Sequence, residues 1–223
     1  MPKHGVKHGV EEMHGSADAG GPKRRRLSRQ DRYRQLIEVA WRIVRESGTD
    51  ALTLGSLAEQ AGIAKPVVYD HFATRNGLLA ALYGEFDMQE NALIDAAIEN
   101  SEPTLNGRAS VIAGSYVDCV LALGRELPGV SAALAGSPEL ESLKRESEAV
   151  FLQKCRALLA PFAPGKDVGV AGLRAMLGAA EALSYAAAMD EISALQAKQE
   201  LLETIIAMVS RQKRATSRRS AAA

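Results

Sequence analysis

Aromatic side chains are scarce: one Trp, five Tyr and four Phe among 223 residues. A chain poor in aromatics and rich in alanine favours closely packed helices over sheet. Cysteine is scarcer still. Cys119 and Cys155 stand alone without CxxC spacing, which excludes a disulfide framework and predicts free thiols of the kind found in a cytoplasmic protein. Of the four His, three (His4, His8 and His14) sit in the first 14 residues and only His71 lies beyond. The body therefore has no metal-spaced cluster, and neither a metal nor a cofactor is expected. No nucleophile–base pair or phosphate-binding glycine loop is visible, so an enzyme is not expected. Apolar runs of about 18 residues are missing, as is an apolar core region near the N-terminus, so neither a membrane span nor a signal peptide is expected.

What is present is unevenly charged. Formal net charge is zero, yet residues 1–86 hold 13 Lys/Arg against 10 Asp/Glu, residues 87–210 hold 9 against 17, and residues 211–223 hold 5 against none. Anionic partners are thus expected at the N-terminal part or the tails. Residues 1–27 are Gly-rich, charged and poor in large apolar residues, the composition of a disordered arm. The tetrapeptide KHGV occurs there twice and reads as a solvated tail or an added segment. Lys23, Arg24, Arg25 and Arg26 follow as a basic run, read either as a solvated charge cluster or as an arm that reaches DNA phosphates or the minor groove.

The most informative stretch is Leu54–Phe72, LGSLAEQAGIAKPVVYDHF. Leu57, Ala58 and Ala61 share one helical face; Gly62 suits a sharp turn; Val68 and Phe72, four apart, face inward from a second helix beginning near Lys65. Counted from Leu54, small Ala58 is fifth, Gly62 ninth and β-branched Val68 fifteenth. That is helix-turn-helix spacing, which also occurs by chance in ordinary helical corners. The outward face of the second helix carries Lys65, Val67, Tyr69, Asp70 and His71, side chains that suit a DNA groove or its phosphates, Asp70 being the acidic exception. Upstream, Ser28-Arg29-Gln30-Asp31 fits a helix-opening cap, and Leu36, Val39, Ala40, Ile43 and Val44 form one apolar stripe ended by Gly48. Thr53 is placed to cap the first helix of the motif, and Thr74 to cap a long helix with Leu78, Leu79, Leu82, Tyr83 and Phe86 inward.

Residues 28–86 resemble the DNA-binding domain of the tetracycline-repressor (TetR) family of bacterial regulators. The residues that carry the resemblance are QLIEVAWRIVRESG, TLGSLAEQAGIAKPVVYDHF and ATRNGLLAALY. It implies that Lys65, Pro66 and Tyr69 read bases, that Val67, His71 and Arg75 lie at phosphate positions, and that Thr53 sits near the DNA backbone. This chain departs from the pattern where Ala64 replaces a polar cap and Val67 replaces a phosphate donor, which bears on the operator sequence. The expected architecture is all-α: a disordered arm (1–27), a three-helix DNA-binding domain (28–76), a helical ligand-binding and dimerisation domain (77–213) and a disordered basic tail (214–223), with about nine helices.

Beyond residue 86 the chain reads as helices over about 104–126, stopped by Pro128-Gly129, then 130–136, then one opened by Ser137-Pro138-Glu139, then 167–189 and 192–213. Two broad apolar faces appear on the last two helices. Leu173, Leu177, Ala180, Leu183, Ser184 and Ala187 recur at helical spacing, as do Leu201, Ile205 and Met208. The resemblance implies that these helices pair with their copies in a homodimer, whose two reading heads would enter successive major grooves of a palindromic double-stranded operator. Phe86, Tyr116, Cys119, Phe151, Met176, Tyr185 and Met189 are the candidates for a pocket holding a small, mostly hydrophobic effector. The expected function is a ligand-released repressor. The alternative is a ligand-independent, sequence-tolerant DNA-organising protein.

Overall fold

The computed structural model describes residues 27–123 and 126–220. The expected basic arm at Arg24, Arg25 and Arg26 and the histidines of the KHGV repeat lie outside the described residues. At Ser28 the hydroxyl accepts the Asp31 backbone N–H at 3.0 Å and opens α1 (Arg29–Ser47). This satisfies one of the donors that a helix start leaves without a partner. Leu36, Ile37, Val39, Ala40, Ile43 and Val44 of α1 are buried, the stripe that the spacing predicted. A single 3-10 turn, Thr49–Ala51, leads to α2 (Leu54–Ala61). Its cap is reciprocal: Thr53 Oγ1 accepts from the Ser56 N–H while Ser56 Oγ accepts from the Thr53 N–H, each at 3.0 Å. Gly62 takes the left-handed conformation (φ 63°) that ends α2.

Next comes α3 (Lys65–Phe72), which lacks a side-chain cap at Ala64 and has Pro66 in its first turn, where a missing N–H breaks no helical bond. The junction to α4 (Arg75–Glu99) is a tight turn centred on Ala73, with φ 56° and ψ −50°. The Thr74 N–H donates to the Phe72 carbonyl at 2.6 Å, two residues back, which is the bonding of a γ-turn. That turn swings the Phe72 carbonyl over the first turn of α4. A Cβ on Gly77 would lie 2.1 Å from the carbonyl oxygen, so only glycine fits there.

The C-terminal part continues with α5 (Leu105–Leu123), α6 (Glu126–Leu134), α7 (Pro138–Leu159), α8 (Val170–Ala188) and α9 (Ala194–Ser220). Among the described residues there are nine α-helices and no strand, and no helix is long and apolar enough to cross a membrane. Three local expectations need correction. Pro128 and Gly129 do not stop a helix; they lie inside α6, whose first turn tolerates proline because its N–H groups have no helical acceptor. Ser137 stands at the N-cap of α7 without a capping bond, and its hydroxyl instead accepts from Asn76 Nδ2 at 3.4 Å. The last helix runs past residue 213 to Ser220, since 211–220 contain neither Gly nor Pro to end it.

In this part α5 is central, packed on α4, α8 and α9, and α8 packs along α9. Gly172 brings the last two helices close, its α-carbon facing Met208; a Cβ there would lie 3.0 Å from the sulfur. The core explains what became of the stripes assigned to a dimer face. Leu173, Leu177, Ala180, Ser184, Ala187, Leu201, Ile205 and Met208 are all buried within the single chain, and Leu183 is half-buried against the same core. Burying each large apolar side chain is worth roughly 1.5–3 kcal/mol. The α8–α9 helix pair therefore turns its bulky stripe toward its own interior. What it leaves exposed is the adjacent stripe of small residues, Ala171, Ala175, Gly178 and Ala182, continued by Tyr185, beside Leu195 and the half-buried Leu202 and Ile206 of α9.

Candidate nucleic-acid interface and effector cavity

The three N-terminal helices hold α3 by its inner side alone. Val68 and Phe72 are buried, and the Phe72 ring packs on Tyr33 of α1 at 5.8 Å between centroids. Lys65, Pro66, Tyr69 and Asp70 face solvent, Tyr69 with half of its surface exposed, and Val67 is partly covered. A short amphipathic helix is thus presented polar side out. Thr53 is exposed at the start of α2, and its hydroxyl is engaged in the cap.

Two expected phosphate contacts are placed differently. The His71 ring lies 6.2 Å from Tyr33 and 5.9 Å from Phe72. Burial and then the Arg29 guanidinium hold its pKa below the ordinary histidine value, which favours the neutral ring. Arg75 turns inward: its Nε donates to the Leu52 carbonyl at 2.9 Å and its Nη2 to the Thr49 carbonyl at 2.8 Å. The guanidinium thus joins the Leu52 N–H, which donates to the Thr49 carbonyl at 3.2 Å, and donates separately to the Leu52 carbonyl. Arg75 thereby ties the start of α4 to the segment that enters α2. Sequence reasoning missed Arg29, which reaches the Asp70 carbonyl at 3.4 Å and adds a cation beside the end of α3. Its place in the first turn of α1 was the available signal.

Behind the reading head, α4, α5, α6, α7 and α8 surround a half-open cavity of about 400 Å³ lined by Tyr83, Phe86, Tyr116, Val120, Pro128, Ser131, Ala132, Ala135, Lys144, Glu181 and Tyr185. A small adjoining extension of about 20 Å³ shares Tyr83, Phe86, Tyr116 and Glu181 with it and is lined also by Asp87, Glu90, Ser147, Glu148, Phe151 and Leu177. Of the expected pocket residues, Phe86, Tyr116 and Tyr185 line the main space and Phe151 the extension. Cys119 and Met176 are buried in the core, and Met189 is exposed beyond the end of α8. Burial pushes the Cys119 thiol up to about 12, the value of an inert packing residue.

The wall is more polar than expected. Lys144 Nζ lies 3.3 Å from Glu181 and 3.6 Å from Glu148, which also pairs with Arg174 at 2.5 Å. Glu90 is the residue that sequence reasoning overlooked. It is only 4% exposed, with one carboxyl oxygen lacking any hydrogen-bond partner. Its signal was positional: it falls four residues after Phe86 and four before Ile94, on the buried stripe of α4.

The small helix α6 faces two ways. Pro128, Ser131 and Ala132 line the cavity. At its start Glu126 pairs with Arg45 of α1 at 2.6 Å, and Gly129 sits so close to the 3-10 turn that a Cβ would lie 2.8 Å from Thr49 Oγ1.

The described residues thus combine a helix-turn-helix head with a walled cavity behind it. Residues 36–82 match the family model described as bacterial regulatory proteins, tetR family. The match runs from within α1 through α2 and α3 into α4, so the chain is similar to that family over its helix-turn-helix part. A 65-residue stretch is 37% identical to the HTH-type transcriptional activator FasR of Mycolicibacterium smegmatis, covering 29% of this chain and 30% of that protein. The fold is shared more widely. A TetR-family transcriptional regulator from Streptomyces coelicolor superposes with a TM-score of 0.65 at 21% identity, covering 84% of this chain and 99% of its own. FadR from Bacillus subtilis, solved in complex with stearoyl-CoA, does so with a TM-score of 0.64 at 19% identity, covering 80% and 98%.

Proposed function

We propose that the protein is a homodimeric repressor of the cytoplasm that grips a palindromic operator through α3 and is released when a small molecule occupies the cavity. One observation carries this reading: α3 is anchored by Val68 and Phe72 and offers Lys65, Pro66 and Tyr69 to solvent. Tyr69 and Lys65 address base edges, while Arg29, with Thr53 at the start of α2, faces the phosphates. Arg75 acts one step back, by fixing where the reading head sits on α4.

Dimerisation uses the exposed small-residue stripe of α8 with Leu195, Leu202 and Ile206 of α9. Small side chains let two helices of one subunit approach their copies closely, and Tyr185 and Leu195 (73% exposed) supply apolar area at the edges. Two recognition helices about 34–36 Å apart then meet successive major grooves. Occupancy is communicated along α6, which touches the cavity on one side and Arg45 and Thr49 on the other, and along α4, which runs from Phe86 back to Arg75. An effector that fits the cavity better when these helices are displaced lowers operator affinity by its differential binding energy. A second reading, activation, is favoured by the name of the relative FasR, a transcriptional activator.

The test is selection of bound duplexes from a random pool, followed by binding to the selected site and to a scrambled one. A palindrome with half-sites about one helical turn apart is expected. Tyr69→Ala should cost roughly 1–3 kcal/mol at one base position and relax its choice, whereas Arg75→Ala should weaken all sequences alike. Equal losses for Tyr69→Ala on both duplexes overturn its role, and recovery of no common sequence favours the DNA-organising alternative.

A further inference from the structure

The charges around the cavity do not balance, and the imbalance has a location. Glu148 and Glu181 have Lys144 and Arg174 as partners, and Asp87 accepts the Ser147 hydroxyl. Lys154, the cation nearest Glu90 on α7, has its ammonium 2.8 Å from Asp95 and 3.5 Å from the Asn91 carbonyl. Glu90 is left at the inner end of the space with a buried oxygen that meets no donor. A buried polar atom without a partner costs on the order of 1–3 kcal/mol, so a fold keeps one where something outside the chain completes it or where a function needs it. The rings of Tyr83, Phe86 and Tyr116 line both the main cavity and the extension that Glu90 lines, and Phe151 lines the extension; Tyr83 lies 5.9 Å from Phe86, and Tyr116 lies 5.5 Å from Phe151. The faces of such rings carry partial negative charge and attract cations.

We propose that the effector is an organic cation whose apolar body fills the main cavity and whose positive group passes between these aromatic rings to pair with Glu90. This rests on the effector-cavity reading above and narrows its chemistry. The cavity of about 400 Å³ suits a drug-sized body, and the extension, about 20 Å³, has room for a water-sized primary ammonium head. An anionic head is disfavoured at the same place, since Asp87 and Glu148 also line the extension. In the empty protein burial, and then the charge of Asp87, hold the Glu90 carboxyl up to about 8, so it waits mostly neutral and ionises when a cation arrives.

The test uses three probes of one skeleton: the cation 4-phenylbutylammonium, its neutral carbon isostere pentylbenzene, and the anion 5-phenylpentanoate. Each is titrated calorimetrically into the full-length protein and into Glu90→Gln. The cation is expected to bind the parent roughly ten- to a hundredfold more tightly than the neutral probe, with the anion weakest. In Glu90→Gln that preference should vanish while the neutral probe binds as before, which also reports an intact cavity. Should Glu90→Gln fail to fold, Glu90→Asp keeps the charge but withdraws it, and must lower cation affinity selectively. Tighter binding of the neutral or anionic probe, a cation preference unaltered by Glu90→Gln, or no binding of the cation overturns the proposal. Operator release is measured with the same probes. Cation binding without release leaves the cavity chemistry standing and refutes the regulatory reading.

Discussion

Replacing Glu90 by Gln isolates one buried charge and makes a prediction about stability alone. The carboxyl is pushed from 4.5 to about 8, first by burial and then by the charge of Asp87, with Lys154 pulling weakly the other way. A raised carboxyl pKa means that the folded chain holds its proton where the unfolded chain has released it. Below the unfolded value the two states are equally protonated and burial of the acid carries no ionisation penalty. Between that value and about 8, stability falls as pH rises, by about 1.4 kcal/mol per unit. The full penalty corresponds to roughly 5 kcal/mol, and at neutral pH roughly 3 kcal/mol has accumulated. Glutamine has nearly the same shape and no proton to lose. The variant should match the parent in unfolding midpoint near pH 4.5 and exceed it progressively up to about pH 8, the gap levelling off beyond. Guanidinium unfolding at fixed protein concentration across this range provides the assay, so that any self-association contributes equally at each pH. A gap independent of pH would refute the reasoning, because it would mean that Glu90 is as ionised in the folded chain as in the unfolded one.

Two further substitutions probe other parts of the argument. Gly77→Ala forces a Cβ against the Phe72 carbonyl, and backbone cannot step aside as a side chain can. It should lower the melting temperature and operator affinity together, at a cost of about 1–3 kcal/mol or more, and parent-like values of both would show that the α3–α4 turn is looser than described. Ala175→Glu places a charge in the middle of the exposed small stripe on α8 while leaving the core untouched. Sedimentation should then find a folded monomer with weakened operator binding, and an unchanged dimer would move the interface off this face.

Most of the reading head was legible in the sequence because local rules govern it. Ser28, Thr53 and Thr74 cap the helices that they precede, Gly62 adopts the left-handed turn, and the apolar spacing of α1, α3 and α4 assigns each its buried side. Each of these effects acts within a few residues. Choices between two faces of one helix do not. The bulky stripe of α8 and α9 satisfied the pattern of an interface and of a core equally well. Only the packing of α5 against both helices decided that it is core and that the small-residue stripe is outside. Likewise, nothing local tells Arg75 to bend toward Thr49 and Leu52 rather than toward solvent, or reveals that Asp95 and Asn91 engage Lys154 while one Glu90 oxygen is left without a donor. By itself the sequence determined the helices and, in the N-terminal part, their ends and the motif they build, since hydrogen bonding and side-chain periodicity are short-ranged. The tertiary structure alone decided which stripe of α8 stays exposed, the strut and the buried carboxyl, because each depends on how distant elements pack and which groups compete for the same partner.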